Sequence, residues 1–469
     1  MSKLRSVFTA KDMTTGTPWK RILEFSIPLL IGNIAQQFYN TADSIIVGRY
    51  IGDNALAAVG SAWPILNLLL VLFVGVATGA GIMVSQYYGA RDRERLSHTI
   101  GVCITLTAIA SLVVMIAGPL LAKPLLSLLN TPAAIIDWCN DYLVIFFLGI
   151  IGFSYYNILS GILRGLGDSL SALVFLMIST LLNVILDIWF VAGLNMGVPG
   201  VALATVLAQG VSAVLCFMKL KKMSDIFDFR LSYFIPLKEY SLRLIKLGLP
   251  SGLTQAIFSF AMITVQSLTN SFGEMVIACN VIVMRVDGFA MMPNFSFGTA
   301  MTTFTGQNVG AGKLDRVTRG TKSGLKISIS VAATITIVIL LFGRYLMGIF
   351  TDTPELVDFS MRMMKILAVG YIAMAVTQVL SGVMRGAGDT VTPMWISLLI
   401  TVGLRIPIAY GISYFTRSEI YPNGRPESVF VSLLVAWVMG SVINSFFYAR
   451  GKWREKAKRD FGKSHDYEI

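Results

Sequence analysis

The sequence predicts an all-α polytopic membrane protein with twelve transmembrane helices in two six-helix, pseudo-symmetric lobes. Three observations carry that prediction. The 469-residue chain is 55% hydrophobic and 14% charged, with a mean hydropathy of +0.70, whereas soluble domains carry about 25% charge. Apolar runs of about 20 residues, long enough to cross a hydrocarbon core of ~30 Å, recur at 98–122, 169–194, 323–343 and 428–449. Finally, the second half repeats the first.

The repeat is read from motifs at one offset. "LSGILRGLGDS" (159–169) returns as "LSGVMRGAGDT" (380–390), and "QYYGARDRER" (86–95) meets "QNVGAGKLDR" (307–316) at the same 221-residue spacing. "SIPLL" (26–30) meets "GLPSG" (248–252) one residue out of step. Six spans per half put both halves in the membrane with the same orientation, related by an axis along the membrane normal, with a central cavity as the substrate path. The expected organisation is an N-terminal lobe (1–222), a cytoplasmic linker (223–242) and a C-terminal lobe with a basic tail (243–469).

The first span, 22–48, carries Asn33, Gln36, Asn40 and Asp43 at spacings of three, four and three, so they line one helix face. Lipid cannot satisfy that stripe, so it must meet other helices or water. Pro28, fifteen residues before Asp43, removes a backbone hydrogen bond and marks a bend point. The second span, 55–87, holds Gly75, Gly79 and Gly81, read as small-residue helix packing rather than a dinucleotide fingerprint. The third and fourth spans are 98–122 and 133–162. The RGxGD turn that follows reads as helix punctuation, with glycine ending one helix and Asp168, or Asp389 in the repeat, capping the next. It follows no strand, as a phosphate loop would require.

The fifth span, 169–193, places Asn183 and Asp187 four apart on one face, and the sixth, 199–219, adds Thr205. Two carboxylates with amide and hydroxyl oxygens define a candidate cation site. Oxygen-rich coordination would suit Na⁺, and a desolvated carboxylate pair would suit H⁺, because like charges held close favour sharing a proton. The second half has spans near 243–272, 276–308, 322–343, 355–383, 391–415 and 428–449. The position matching Asp43 there is Thr264 or Val265. Its membrane charges are instead Arg285, Asp287 and Arg405, and an Arg405–Asp287 ion pair is expected because a lone Arg in a span is costly. Gln255 and Gln266 are its remaining polar candidates.

The net charge of +12 is a topology signal, not a nucleic-acid footprint. With the N-terminus inside, all but nine of the 38 Lys and Arg fall in cytoplasmic segments, as the positive-inside rule requires. The polar N-terminal tail lacks a signal-peptide pattern. Cys103, Cys139, Cys216 and Cys279 are scattered singly, and the two histidines, His98 and His465, lie near span ends or tails. No disulfide framework, metal cluster or nucleophile–base constellation follows, so no cofactor and no enzyme is expected. "GQNVGAGKL" misses the phosphate-loop spacing, so no ATPase is expected either.

Taken in order, "ADSIIVG" after Pro28, "GARDRERL", "GQNVGAGKLDR", the doubled "LSGxxRGxGD", "NVILD", "GVALAT" and "LRIPIAY" resemble the multidrug and toxic compound extrusion (MATE) transporters, bacterial type. The resemblance covers nearly the whole chain. It implies a MATE-like antiporter of the cytoplasmic (inner) membrane, with both termini cytoplasmic, exporting amphipathic and often cationic drugs in exchange for Na⁺ or H⁺. Asp43, Asn183, Asp187 and Thr205 would then be its N-lobe cation site. Asn33, Gln36, Asn40, Gln255, Arg285, Asp287 and Arg405 are substrate-path candidates. The bodies of the seventh and tenth spans lack the acidic residues some members carry there. A monomer in contact with bilayer lipid is expected, with no nucleic-acid partner. The competing reading is a flippase for lipid-linked oligosaccharides, which would want a cationic cavity.

Overall fold

The computed structural model describes residues 10–129 and 131–461. His465 and the side chain of Asn40 lie outside what it describes. Among the described residues the chain is helical and contains no strand.

In chain order the first half comprises α1 (Pro18–Tyr50), α2 (Asp53–Gly89), α3 (Arg93–Leu128), α4 (Ile136–Leu148), α5 (Ile150–Gly165), α6 (Ser169–Asp187) and α7 (Gly197–Lys221). A short 3₁₀ turn, Leu231–Phe234, precedes the second half. That half holds α8 (Lys238–Ser271), α9 (Glu274–Gly310), α10 (Leu314–Gly348), α11 (Pro354–Ala368), α12 (Gly370–Gly386), α13 (Val391–Leu398), α14 (Ile406–Phe415), α15 (Glu427–Arg450) and the terminal α16 (Lys452–Phe461). Among the described residues nine helical stretches are long and apolar enough to cross a membrane, and eleven if each of two bent pairs counts as one span. With α1, whose polar stripe lowers its hydropathy, the described helices are consistent with twelve spans.

The fourth and tenth spans, read in the sequence as 133–162 and 355–383, are each a bent pair of helices. The bend is 53° between α4 and α5 and 42° between α11 and α12. Gly149 sits at the first bend and Gly370 at the second, and these positions match in the repeat. A Cβ on Gly149 would lie 2.1 Å from Val206 Cγ1, and one on Gly370 would lie 2.5 Å from the Trp437 ring. Both bends therefore depend on a close approach that only glycine permits.

The chain forms two compact units. One runs over Ile27–Gly252 with residues 10–12, and the other holds Met13–Ser26 and the chain from Leu253. Within the first unit, Gly75 and Gly79 of α2 press against Gly248 and Gly252 of α8, at backbone distances that leave no space for a side chain. The small-residue reading of that stretch is correct. The RGxGD turns also behave as the sequence predicts. Gly167 and Gly388 have φ of 88° and 93°. Asp168 accepts from Ser171 N at 2.9 Å and pairs with Lys219 at 3.4 Å, while Asp389 accepts from Thr392 N at 3.2 Å.

The repeated glutamines serve as fasteners. In the first unit, Gln86 Oε1 accepts from Arg243 Nη2 at 2.8 Å. In the second, Gln307 Oε1 accepts from Met13 N at 2.8 Å. Each glutamine holds a segment at or just before the first helix of a half. Arg316 adds guanidinium bonds to the carbonyls of Met13, Thr15 and Gly16 at 2.7 to 3.2 Å.

Candidate functional site

In the first unit, three helices bring the expected residues together. Residues 36, 39 and 43 follow each other at helical spacing on α1. Asn183 and Asp187 stand one turn apart on α6, and Thr205 lies on α7. Asp187 is fully buried at 0% exposure and Asn183 at 1%. The Asp43 and Asp187 carboxyls meet within hydrogen-bonding reach. Such a contact needs a proton or a cation between the oxygens, since two bare carboxylates repel.

The Asn183 amide settles into one orientation, because the opposite one would point its oxygen at a carboxylate oxygen. Its nitrogen donates to Asp187 Oδ2 at 2.8 Å and its oxygen accepts from Thr205 N at 3.1 Å. The Thr205 hydroxyl donates to Val201 O at 3.1 Å, which leaves its lone pair for the Tyr39 hydroxyl. Thr205 thus meets Tyr39 through its hydroxyl and Asn183 through its backbone N–H, and Asn183 leads on to Asp187 and Asp43. Asp43 Oδ1 and Asp187 Oδ1 are buried with no hydrogen-bond partner among the described residues. A small cleft of about 10 Å³, lined by Gln36, Tyr39, Ser179, Thr180, Asn183 and Gln209 among others, adjoins the network. It admits about one water-sized group.

Immediately after Asp187 the helix switches to a π turn, Ile188–Gly193, where Leu194 N donates to Trp189 O at 2.9 Å. The fifth span of the second half contains the same device at Leu399–Arg405. π turns of this kind concentrate at functional sites. Each half therefore sets an ionisable residue against a π turn, an acid in the first and a base in the second.

The remaining sequence candidates are dispersed. Asn33 is exposed on α1, and Gln36 lines the cleft. Pro28 lies inside the continuous α1, two residues from the boundary between the units. Gln255 and Arg285 are exposed on α8 and α9, and Gln266 bonds Asn270 and Asn280 at 2.8 and 3.2 Å. The expected Arg405–Asp287 contact pair does not form. Arg405 Nε and Asp287 Oδ1 are buried and unpartnered. The Tyr371 side chain lies beside Asp287; its hydroxyl donates to Met364 Sδ at 3.3 Å, and its backbone carbonyl accepts from Asn294 Nδ2 at 3.3 Å. Tyr371, packed into the core of this unit, puts a neutral side chain beside the carboxylate instead of the guanidinium. Tyr39, Ser179, Gln209 and Tyr371 were missed in the sequence. Tyr39 alone carried a signal, standing four residues before Asp43.

An all-helical membrane fold with two motif-bearing halves and a buried carboxylate pair defines a membrane transporter. The chain belongs to the MatE family, whose model matches it twice, at residues 28–189 and 250–411. It is a transporter rather than an enzyme. It is similar to the probable multidrug resistance protein YpnP of Bacillus subtilis (strain 168), with 29% identity over 95% of this chain and 98% of that protein. It is also similar to YoeA of the same strain, a probable multidrug resistance protein, with 28% identity over 89% of this chain and 92% of the relative. Among solved structures, an outward-facing multidrug resistance MATE family transporter of the MOP superfamily superposes with a TM-score of 0.87. That likeness has 24% identity and covers 96% of this chain and 99% of the other.

Proposed function

We propose that this protein is a multidrug efflux antiporter of a bacterial cytoplasmic membrane, coupled to an inward cation through Asp43 and Asp187. The observation that carries the reading is the contact between two membrane-embedded carboxyls, continued through Asn183 and Thr205. A lone carboxylate at a span centre costs roughly 2.5 to 3.5 kcal/mol, and a bound proton or Na⁺ offsets that cost by neutralising the pair. The small size of the adjoining cleft favours a proton or a nearly dehydrated ion over a hydrated one.

The mechanism is competition. With the cation bound, the pair draws α1 against α6 and disfavours the drug. With the cation released, the pair separates and the drug site becomes competent. Exchange follows only if each ligand has different affinity for the two conformations. Pro28, which removes a backbone hydrogen bond within α1, is the point where a change in that helix would fall. Asp287, Arg405 and Tyr371 belong in this reading to the substrate path of the second half. The proposed organisation is six spans per lobe, both termini cytoplasmic, and a monomer as the working unit.

The test is efflux of a cationic dye from cells expressing matched amounts of protein. Asp43→Asn should reduce efflux at least tenfold while leaving the protein folded and in the membrane. Undiminished efflux in that variant would remove the proposed coupling site.

A further inference from the structure

The basic tail that follows the last span has no part in this mechanism. α15 has 24 residues, about 36 Å of helix, against a hydrocarbon core of ~30 Å, so Arg450 at its end reaches the headgroups. Gly451, with φ of 77°, turns the chain, and α16 starts at the next residue. Trp453, Ala457 and Phe461 recur every fourth residue and are buried, which docks one face of α16 on α9 and α15. The Trp453 ring stacks on Tyr448 at 5.4 Å, and its Nε1 donates to Tyr448 O at 3.0 Å. Tyrosine and tryptophan are enriched at the membrane–water interface. Arg454 Nη2 donates to Thr318 Oγ1 at 3.2 Å, which ties α16 to the start of α10 as well.

Docking leaves the charges outside. Arg450, Lys452, Arg454, Lys458 and Arg459 are exposed, and Lys456 is half-buried. Two acids stand among them, Glu455 and Asp460, and Asp460 is taken by Arg459 at 3.5 Å. Lys322, one turn after Thr318 on α10, is also exposed and carries the patch onto a second helix. Topology asks only for bases on one side of the membrane. It does not ask that they be held on a docked helix at the level of the headgroups.

We infer that α16 binds the headgroups of anionic phospholipids in the leaflet it borders. Charge complementarity carries the inference. Four to eight bases just beyond a span, or on an amphipathic helix, form a surface for anionic lipid, and α16 meets both conditions. Placement favours lipid over a soluble polyanion. The attraction of a charged leaflet acts within a Debye length of ~8 Å, and the first turn of α16 lies that close to the headgroups. Rigidity adds to it. The apolar face is committed to the protein, so the helix neither folds on the membrane nor inserts, and phosphates meet a row of bases already in place.

The experiment follows hydrogen exchange of the amides of 452–461 by mass spectrometry, with the full chain in nanodiscs. One set is phosphatidylcholine alone, and the other contains equal phosphatidylglycerol. In the wild type at about 50 mM NaCl, phosphatidylglycerol should slow exchange at least threefold, and about 500 mM NaCl should remove the difference. Lys452→Gln, Lys456→Gln, Lys458→Gln and Arg459→Gln together leave the docked face and Arg454 intact and should abolish the slowing. Lys452→Arg, Lys456→Arg and Lys458→Arg together should keep it. Equal exchange of the wild type in both lipids would overturn the inference. So would slowing that persists in the glutamine variant, or that is lost in the arginine variant. None of these readouts depends on transport.

Discussion

Asp43 and Asp187 act as one unit, so their substitutions should not add. Asp43→Asn and Asp187→Asn should each abolish coupled transport, and the double variant should be no worse than either, since residues in one network are non-additive. Full additivity of the losses would mean two separate sites. Thr205→Ala removes only the neutral acceptor of Tyr39 and keeps the backbone N–H that Asn183 accepts from. Its expected cost is about 1 kcal/mol, roughly fivefold in apparent cation affinity, read from the dependence of efflux on external cation. Asn183→Leu leaves Asp187 without its 2.8 Å donor and should be the more damaging of the two. Much of this site was legible in the sequence. A carboxylate in an apolar span has few tolerable environments, and helical spacing put Asn183 beside Asp187. Tyr39 and Gln209 were not legible, because tyrosine and glutamine in a span signal nothing until a neighbouring helix is placed against them.

At the level of elements, the bends and fasteners carry the argument. Gly149→Leu and Gly370→Leu should each destabilise the fold by about 1 to 3 kcal/mol through overpacking, seen as lower midpoints of thermal unfolding in detergent. These bends were not legible in the sequence, because the side chains that each glycine touches come from distant spans and leave no local mark. The linker tie offers a pH test. Arg93 bonds Asp228 at 2.8 and 3.1 Å, and this hydrogen bond holds the Asp228 carboxyl below its usual range. A depressed acid stabilises the tie above its unfolded value, near 3.9, and loses that contribution as pH falls through the folded value. Proteolysis within 222–237 should therefore rise only below about pH 4 in the wild type. It should already be high at neutral pH in Asp228→Asn.

Across the whole molecule, duplication has kept the scaffold and divided the chemistry. Both halves have a glutamine fastener, a bent fourth span, a capped RGxGD turn and a π turn in the fifth span. The first half places acids at its site, and the second a base and an acid that stands beside a tyrosine. The repeat was plain in the sequence because glycine turns and helix caps require particular residues at particular spacings. The expected Arg405–Asp287 contact was misjudged because charge sign alone does not tell which neutral side chain packs beside the acid. The account predicts that coupling belongs to the first half. The direct measurement is drug exchange in reconstituted vesicles, with Na⁺ and pH gradients imposed separately. The wild type and Asp287→Asn should respond to the same one of these gradients, with Asp43→Asn responding to neither. A gradient response in Asp43→Asn equal to that of the wild type would contradict the account.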